Sequence, residues 1–212
     1  MKTSVLSTWL DKVILWMDMP LINFDGNKPK FLRPDLLQHG QIPRAMAGVA
    51  PRTVLGQEWW DIERKKAYVA NNYCCWACGD DDNGLEAHEA YVIDYVKYTM
   101  TFVEVVALCP ACHAFIHIGL TKIKKTRTEF RKIVDHGYRI LKKAKLKANW
   151  GINLILPMED WCWKIRRIIE TQPPMSRYSW IGWHLVIAGT KYPPKFRNEE
   201  EADKFYKEHK NE

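Results

Sequence analysis

Two Cys-x-x-Cys pairs, Cys75/Cys78 and Cys109/Cys112, enclose a segment rich in strand-forming residues. One such pair in a chain is compatible with a redox dithiol or with chance. Two matched pairs have the composition of a closed tetrahedral site, in which four thiolates hold one structural zinc ion and pin two loops together. The gap between the pairs is longer than in the commonest zinc ribbons and leaves room for two strands. Cys74 adjoins Cys75 and is an alternative ligand. Cys75 is preferred because it leaves two residues between the thiols on both sides. Cys162, between Trp161 and Trp163, reads as a buried thiol.

The second pair runs directly into His113 and His117. At i and i+4 of a helix they project from one face, which lets both imidazoles reach a single ion. His88 would approach the same place from the preceding strand. The plainer alternative is that these histidines are polar surface or satisfied core residues.

The elements that must position these groups are legible around them. Residues 85–95 and 101–108 alternate or run β-branched and aromatic, the pattern of two strands joined through VKYTM. Pro110 suits an early helical position, where its missing N–H costs nothing, and Gly119 is placed to close that helix. Residues 57–72 (QEWWDIERKKAYVANN) read as a helix entering the first knuckle, with Trp60 in the core and Arg64 and Lys65 facing solvent or nucleic acid. The acidic DDDNG run at 80–84 lacks the alternating ligands of a calcium loop and reads as a solvated turn.

The order C-x-x-C, L-E-A-H-E, L-C-x-x-C-H-x-x-x-H-x-G resembles the zinc-containing HNH endonucleases, a ββα-metal fold family. The flanks GVAPRTVLGQEWWDIERKKAY and WHLVIAGTKYPPKF are similar to a bacterial and phage branch of it. The core motif covers about a fifth of the chain, and with the flanks the resemblance spans most of residues 45–205. It implies an α+β fold with a zinc-stabilised ββα-metal core, flanking helices and a short C-terminal hairpin. It also implies a catalytic divalent ion (Mg2+, Mn2+, Ni2+ or Zn2+) on His88, His113 and His117, beside the structural zinc on Cys75, Cys78, Cys109 and Cys112. The slot that activates water, usually a second histidine, holds Glu89. The middle slot, usually asparagine, holds Glu104. A carboxylate is a weaker base than imidazole unless its pKa is raised, and it could instead become a ligand. Asp94, further along the strand, is another candidate carboxylate.

The chain has 212 residues, net charge +7 and a pI near 9.0. A hydrophobic content of 47% and ten tryptophans argue against disorder. The charge excess is local. Residues 122–147 carry eleven positive side chains against Glu129 and Asp135, a net of +9 that exceeds the whole chain's. Lys122, Lys124, Lys125, Arg127, Arg131 and Lys132 begin this stretch, and Phe130, Ile133, Val134, Tyr138, Leu141 and Ala144 form its expected buried stripe. Such a helix is either a phosphate-binding face or simply a soluble one. DNA is the expected partner, with a protein partner possible. Arg44, Arg52, Arg166 and Arg167 could touch phosphate or sit on the surface.

Six cysteines, better used for metal than for disulfides, suit a reducing compartment. No stretch of about 18 apolar residues suggests a membrane span, and Asp11 and Lys12 interrupt any signal-peptide core. The expected location is the cytoplasm of a bacterial or phage-infected cell. Residues 4–17 read as an amphipathic helix and 159–170 as another, and Asn198 is placed to cap a last helix. The chain divides into an N-terminal helix and irregular arm (1–56), an HNH-like zinc module with its basic helix (57–148) and a C-terminal extension (149–212). The sequence-level reading is a metal-dependent endonuclease hydrolysing DNA. The alternative is a protein that keeps the zinc fold but lacks turnover and acts as a regulator or inhibitor.

Overall fold

The computed structural model describes residues 28–81, 84–146 and 179–208. The helices expected at 4–17 and 159–170 lie outside these residues, as do Cys162, Arg166 and Arg167. The described chain is mixed α+β. A four-stranded sheet in the order β1-β2-β3-β4 is built from β1 (Glu86–Asp94), β2 (Thr99–Leu108), β3 (His184–Ile187) and β4 (Thr190–Tyr192). β1 and β2 pair antiparallel, with a register shift between Ala90 and Tyr91. β3 lies parallel to β2, Met100 opposite Leu185, and turns back antiparallel into β4. The C-terminal hairpin therefore extends the sheet that the central strands begin.

Helices α1 (Pro51–Leu55) and α2 (Gln57–Ala70) precede the sheet, with Gly56 at φ 91° making the corner between them. After β2 come α3 (Pro110–Ile116), α4 (Ile118–Lys124) and α5 (Arg127–Lys143). The final helix, α6 (Glu199–Glu208), starts at Asn198, whose Oδ1 accepts the Glu201 N–H at 2.9 Å. Gly119 does not end a helix as expected. The helix breaks two residues earlier, at His117 (φ −89°, ψ 39°), and Gly119 falls inside α4. The positive-φ conformation for which a closing glycine is used is therefore not needed at 119.

One hydrophobic cluster joins Leu36, Leu37, Trp60, Trp76, Val106, Leu108, Phe115 and Leu141. A second joins Met46, Met100, Trp183 and Leu185 behind the β2–β3 pair. The knuckle belongs to the first cluster, and hydrogen bonds fasten it there. Trp76 donates its backbone N–H to Ala107 O at 2.9 Å and its indole N–H to Ala67 O at 3.0 Å. Asn71, fully buried, accepts the N–H groups of Lys30 and Phe31 at 2.8 and 3.1 Å and donates to Cys74 O at 3.3 Å. The arm before residue 57 is thereby tied to the turn that carries the first cysteine pair.

The basic helix α5 begins with a reciprocal cap in which Thr126 Oγ1 accepts the Glu129 N–H and Glu129 accepts the Thr126 N–H. It packs on α3 through Val134, Gly137 and Leu141. Tyr138, expected in the buried stripe, is exposed. Gly137 takes the contact instead, because the Phe115 ring lies where a side chain would begin. A Cβ at Gly137 would sit 2.3 Å from Phe115 Cδ2. Since Phe115 is fully buried, the ring has no room to retreat. Gly137→Ala is expected to lower stability by about 3 kcal/mol, at the upper end of overpacking costs. Denaturant unfolding of the variant checks this, and an unchanged midpoint would contradict the packing.

Candidate metal centre

The two cysteine pairs are delivered by different kinds of element. Cys75 and Cys78 lie in the turn after α2, where Cys75 N–H donates to Asp80 O at 2.8 Å and Gly79 N–H to Cys75 O at 2.8 Å. Cys109 follows the end of β2 and caps α3 just before Pro110, and Cys112 lies in the first turn of α3. The four sulfurs fall within 4.8 Å of one another. Cys78 Sγ and Cys109 Sγ are 3.7 Å apart, far beyond a disulfide. Metal–sulfur bonds of about 2.3 Å at tetrahedral angles put ligand sulfurs about 3.8 Å apart, so the cluster has the dimensions to hold a metal ion. Burial and the shared protons split the thiols. Hydrogen bonds from Cys112, Cys75 and Cys78 push Cys109 down, while Cys109 and its neighbours push Cys112 up. Cys74 stands outside the cluster, with its Sγ donating to Asn72 O at 3.5 Å. His136, on α5, touches the cluster with Nε2 3.4 Å from Cys112 Sγ.

Three imidazoles converge a short distance away. His88 comes from β1, His113 from the middle of α3 and His117 from the residue that ends it. Their ligating nitrogens lie within 4.8 Å of one another, and their ring centroids are 4.7–5.2 Å apart. The break at His117 matters here, because one turn of helix spans the 113–117 pair and the chain then bends away from β1. His88 is buried, and its Nε2 has no hydrogen-bond partner. A buried ring nitrogen without a partner is costly, and a metal ion would satisfy it. Burial first, then the neighbouring His39, His117 and His113, lower the His88 pKa to about 2. Desolvation and His113 lower His117 to about 4. Both rings are neutral at pH 7, the form in which imidazole coordinates a metal.

Glu86 accepts a hydrogen bond from His113 Nδ1, which leaves Nε2 as the nitrogen available to a ligand. Glu86 lies two residues before His88 on the same face of β1, a period-2 relation present in the sequence itself. A carboxylate behind a ligating histidine fixes the ring's tautomer and orientation. His39 is not singled out by the sequence. It follows a 3-10 turn at Pro34–Gln38, sets its ring 5.2 Å edge-on from His88, and holds Gly40 O at 2.7 Å through Nδ1. Nothing in its Pro-punctuated surroundings gives it a spacing relative to the other histidines.

Glu89 adjoins His88 on β1 and lies close enough to His113 and Arg52 to feel their charge. Its side chain is 13% exposed, and Oε1 is buried without a hydrogen-bond partner. Burial raises its pKa above the usual carboxylate range, partly countered by a hydrogen bond to its own backbone and by Arg52 and His113 nearby. Arg52 Nε lies 3.8 Å from Glu89 Oε1. Glu104, opposite Ala90 on β2, is instead in an ion pair with Arg33, which also holds Asp35 at 3.2 Å. Asp94 is removed from the site. Its Oδ1 accepts the N–H groups of Val96 and Lys97, both at 2.9 Å, and shapes the β1–β2 turn. Arg44 pairs with Glu199, and Arg64 with Asp61 at 2.7 Å. Lys122, Lys124, Lys125, Arg127, Arg131 and Lys132 are all exposed, on α4, α5 and the bend between them. Among the described residues no helix is long and apolar enough to cross a membrane.

No protein-family model, curated protein or solved structure matches this chain. The geometry offers two groups that could hold a metal ion, one all-sulfur and mostly buried, the other all-nitrogen with His117 exposed. Cobalt separates them, since thiolate ligation gives an intense charge-transfer band and imidazole ligation does not. Two such sites are expected on titration. Glu86→Gln is expected to weaken only the second by about 10-fold, the low end of what ligand-orienting partners contribute. Equal affinity in the variant would remove Glu86 from the centre.

Proposed function

We propose that the chain is a metal-dependent endonuclease of the HNH type, with β1, β2 and α3 as its ββα-metal core. The observation that carries this reading is the convergence of His88, His113 and His117 beside a buried carboxylate with an unpartnered oxygen. A metal-binding protein of purely structural role has no use for that carboxylate. Zinc is the ion best suited to the four thiolates, and its part is to hold the Cys75 turn against the start of α3. A divalent ion on the three histidines would polarise a phosphodiester and stabilise the charge that develops on the leaving oxygen.

The remaining work falls to the chain. Glu89 accepts a proton from the attacking water as the water oxygen bonds to phosphorus and the bond to the leaving sugar oxygen breaks. Its raised pKa brings a carboxylate closer to the strength needed of a base at neutral pH. The family slot usually holds imidazole, and burial compensates in part for the exchange. Glu86 keeps the His113 ring in the ligating orientation. The lysines and arginines of α4 and α5 bind phosphates along the duplex without reading its sequence, which makes binding strongly salt-dependent. The lock between Gly137 and Phe115 fixes the basic helix relative to the histidines, so a bound duplex would be presented to them in one register.

The alternative, a metal-loaded binder without turnover, draws on Glu89 and Glu104 standing where the family usually has histidine and asparagine. Incubation of the purified protein with supercoiled plasmid and magnesium, manganese, nickel or zinc decides between them. Nicking by the wild type is expected, with loss of at least about 100-fold in His88→Ala and in Glu89→Gln while the zinc content stays at one per chain. A salt-sensitive mobility shift without nicking under any ion would establish the binder instead.

A further inference from the structure

Arg52 has surroundings unlike those of Arg33, Arg44 and Arg64. It occupies the second position of α1, behind the buried Pro51, in a turn closed by Thr53 Oγ1 and the Ala50 backbone. Its guanidinium carbon lies 5.7 Å from the centre of the Trp60 ring, and Trp60 is itself buried. One face of the guanidinium is thus backed by a fixed aromatic surface. Beside it stands Glu89, but the 3.8 Å between Nε and Oε1 is too long for a hydrogen bond. The side chain remains 57% exposed, and the Glu89 it stands beside follows His88 in β1 and feels the charge of His113. Arg33, Arg44 and Arg64, by contrast, have close carboxylate partners.

A counter-ion for Glu89 would be expected to close the gap and donate to the buried oxygen. The guanidinium is therefore not committed to Glu89 and can donate to a small oxygen ligand in front of the two groups. A planar guanidinium with two outward N–H groups matches two oxygens of a phosphate, a fit that a lysine does not reproduce. We propose that Arg52 is the phosphate-holding residue of this centre, donating to the non-bridging oxygens of the phosphodiester that the histidine-held ion polarises. The inference rests on the hydrolytic reading above and adds the residue that binds the scissile group. Cleavage would then draw on Arg52 together with whatever ion His88, His113 and His117 would hold. Trp60 sets the angle at which the guanidinium meets the phosphate.

The test uses the full chain in two readouts. In the first, plasmid nicking is measured for wild type, Arg52→Ala, Arg52→Lys and, as a control, Arg44→Ala, whose partner Glu199 lies on α6. Arg52→Ala is expected to lose about 100-fold in kcat/KM, the scale of removing one preorganised donor from a transition-state anion. Arg52→Lys should fall between, and Arg44→Ala should match wild type. Millimolar guanidinium should restore part of the activity of Arg52→Ala. In the second readout, binding of a short duplex is followed against salt in a His88→Ala background, where no cleavage intervenes. Adding Arg52→Ala is expected to lower the slope of log affinity against log salt by about 1, the signature of one lost phosphate contact. Should Arg52→Ala fold poorly, Arg52→Gln keeps the stem over Trp60 and serves in its place. An active wild type with an equally active Arg52 variant, or an unchanged salt slope, overturns the assignment while leaving the nuclease reading standing. A wild type that cleaves with none of the four ions removes that reading and the role of Arg52 together.

Discussion

Four sulfur atoms at the meeting point of the Cys75 turn, the end of β2 and the start of α3 are the constraint from which the rest of the centre follows. Their mutual approach to within 4.8 Å sets where α3 begins and how it leaves the sheet. That in turn sets where His113 and His117 stand relative to His88 on β1. Backbone hydrogen bonds reinforce the same junction, with Trp76 bonded to Ala107 on one side and to Arg33 on the other. Asn71 links the arm at residues 30–31 to the cysteine turn from beneath. A thiolate cluster that relaxed by even an ångström would move α3, and the nitrogens that it carries would cease to share a point.

The histidine cluster is the less self-sufficient of the two. His88 is held by burial in β1, His113 by Glu86, and His117 by its place at the end of a seven-residue helix. None is fixed by a hydrogen bond to another of the three, and the deepest, His88, has an orphaned nitrogen. Imidazoles crowded together without a hydrogen bond among them are a ligand set in waiting. The carboxylate of Glu89, next in the strand, adds a second buried atom without a hydrogen bond, 3.8 Å from Arg52 Nε. Two buried polar atoms left without partners within two adjacent residues would be poor economy in a purely structural domain, and active sites are where such costs are usually kept.

Local chemistry was the legible part. Cysteine spacing, the run of strand formers on both sides of the turn, Pro110 and Trp60 all express themselves within a few residues, and each took its expected place. What failed depended on contacts distant in sequence. Gly119 has the sequence context of a helix stop, yet the bend is made at His117, two residues earlier. Tyr138 fits the periodic stripe of α5, but a fully buried Phe115 ring demands that Gly137 face the core, which turns Tyr138 outward. The parallel pairing of β2 with β3 joins segments more than eighty residues apart and leaves no local trace. His39, Arg33 and Arg52 reach the strands from a segment that is irregular in sequence, so their arrival beside His88, Glu104 and Glu89 could be read only from the assembled chain.

The most direct measurement is diffraction from crystals grown with zinc and a second, distinguishable divalent ion such as manganese, with data collected at each absorption edge. Two anomalous peaks per chain are expected, a zinc peak amid the sulfurs of Cys75, Cys78, Cys109 and Cys112 and a second between the ring nitrogens of His88, His113 and His117. A single peak at the sulfurs, with the three rings bonded only to protein or water at saturating ion, would contradict a catalytic centre on this chain.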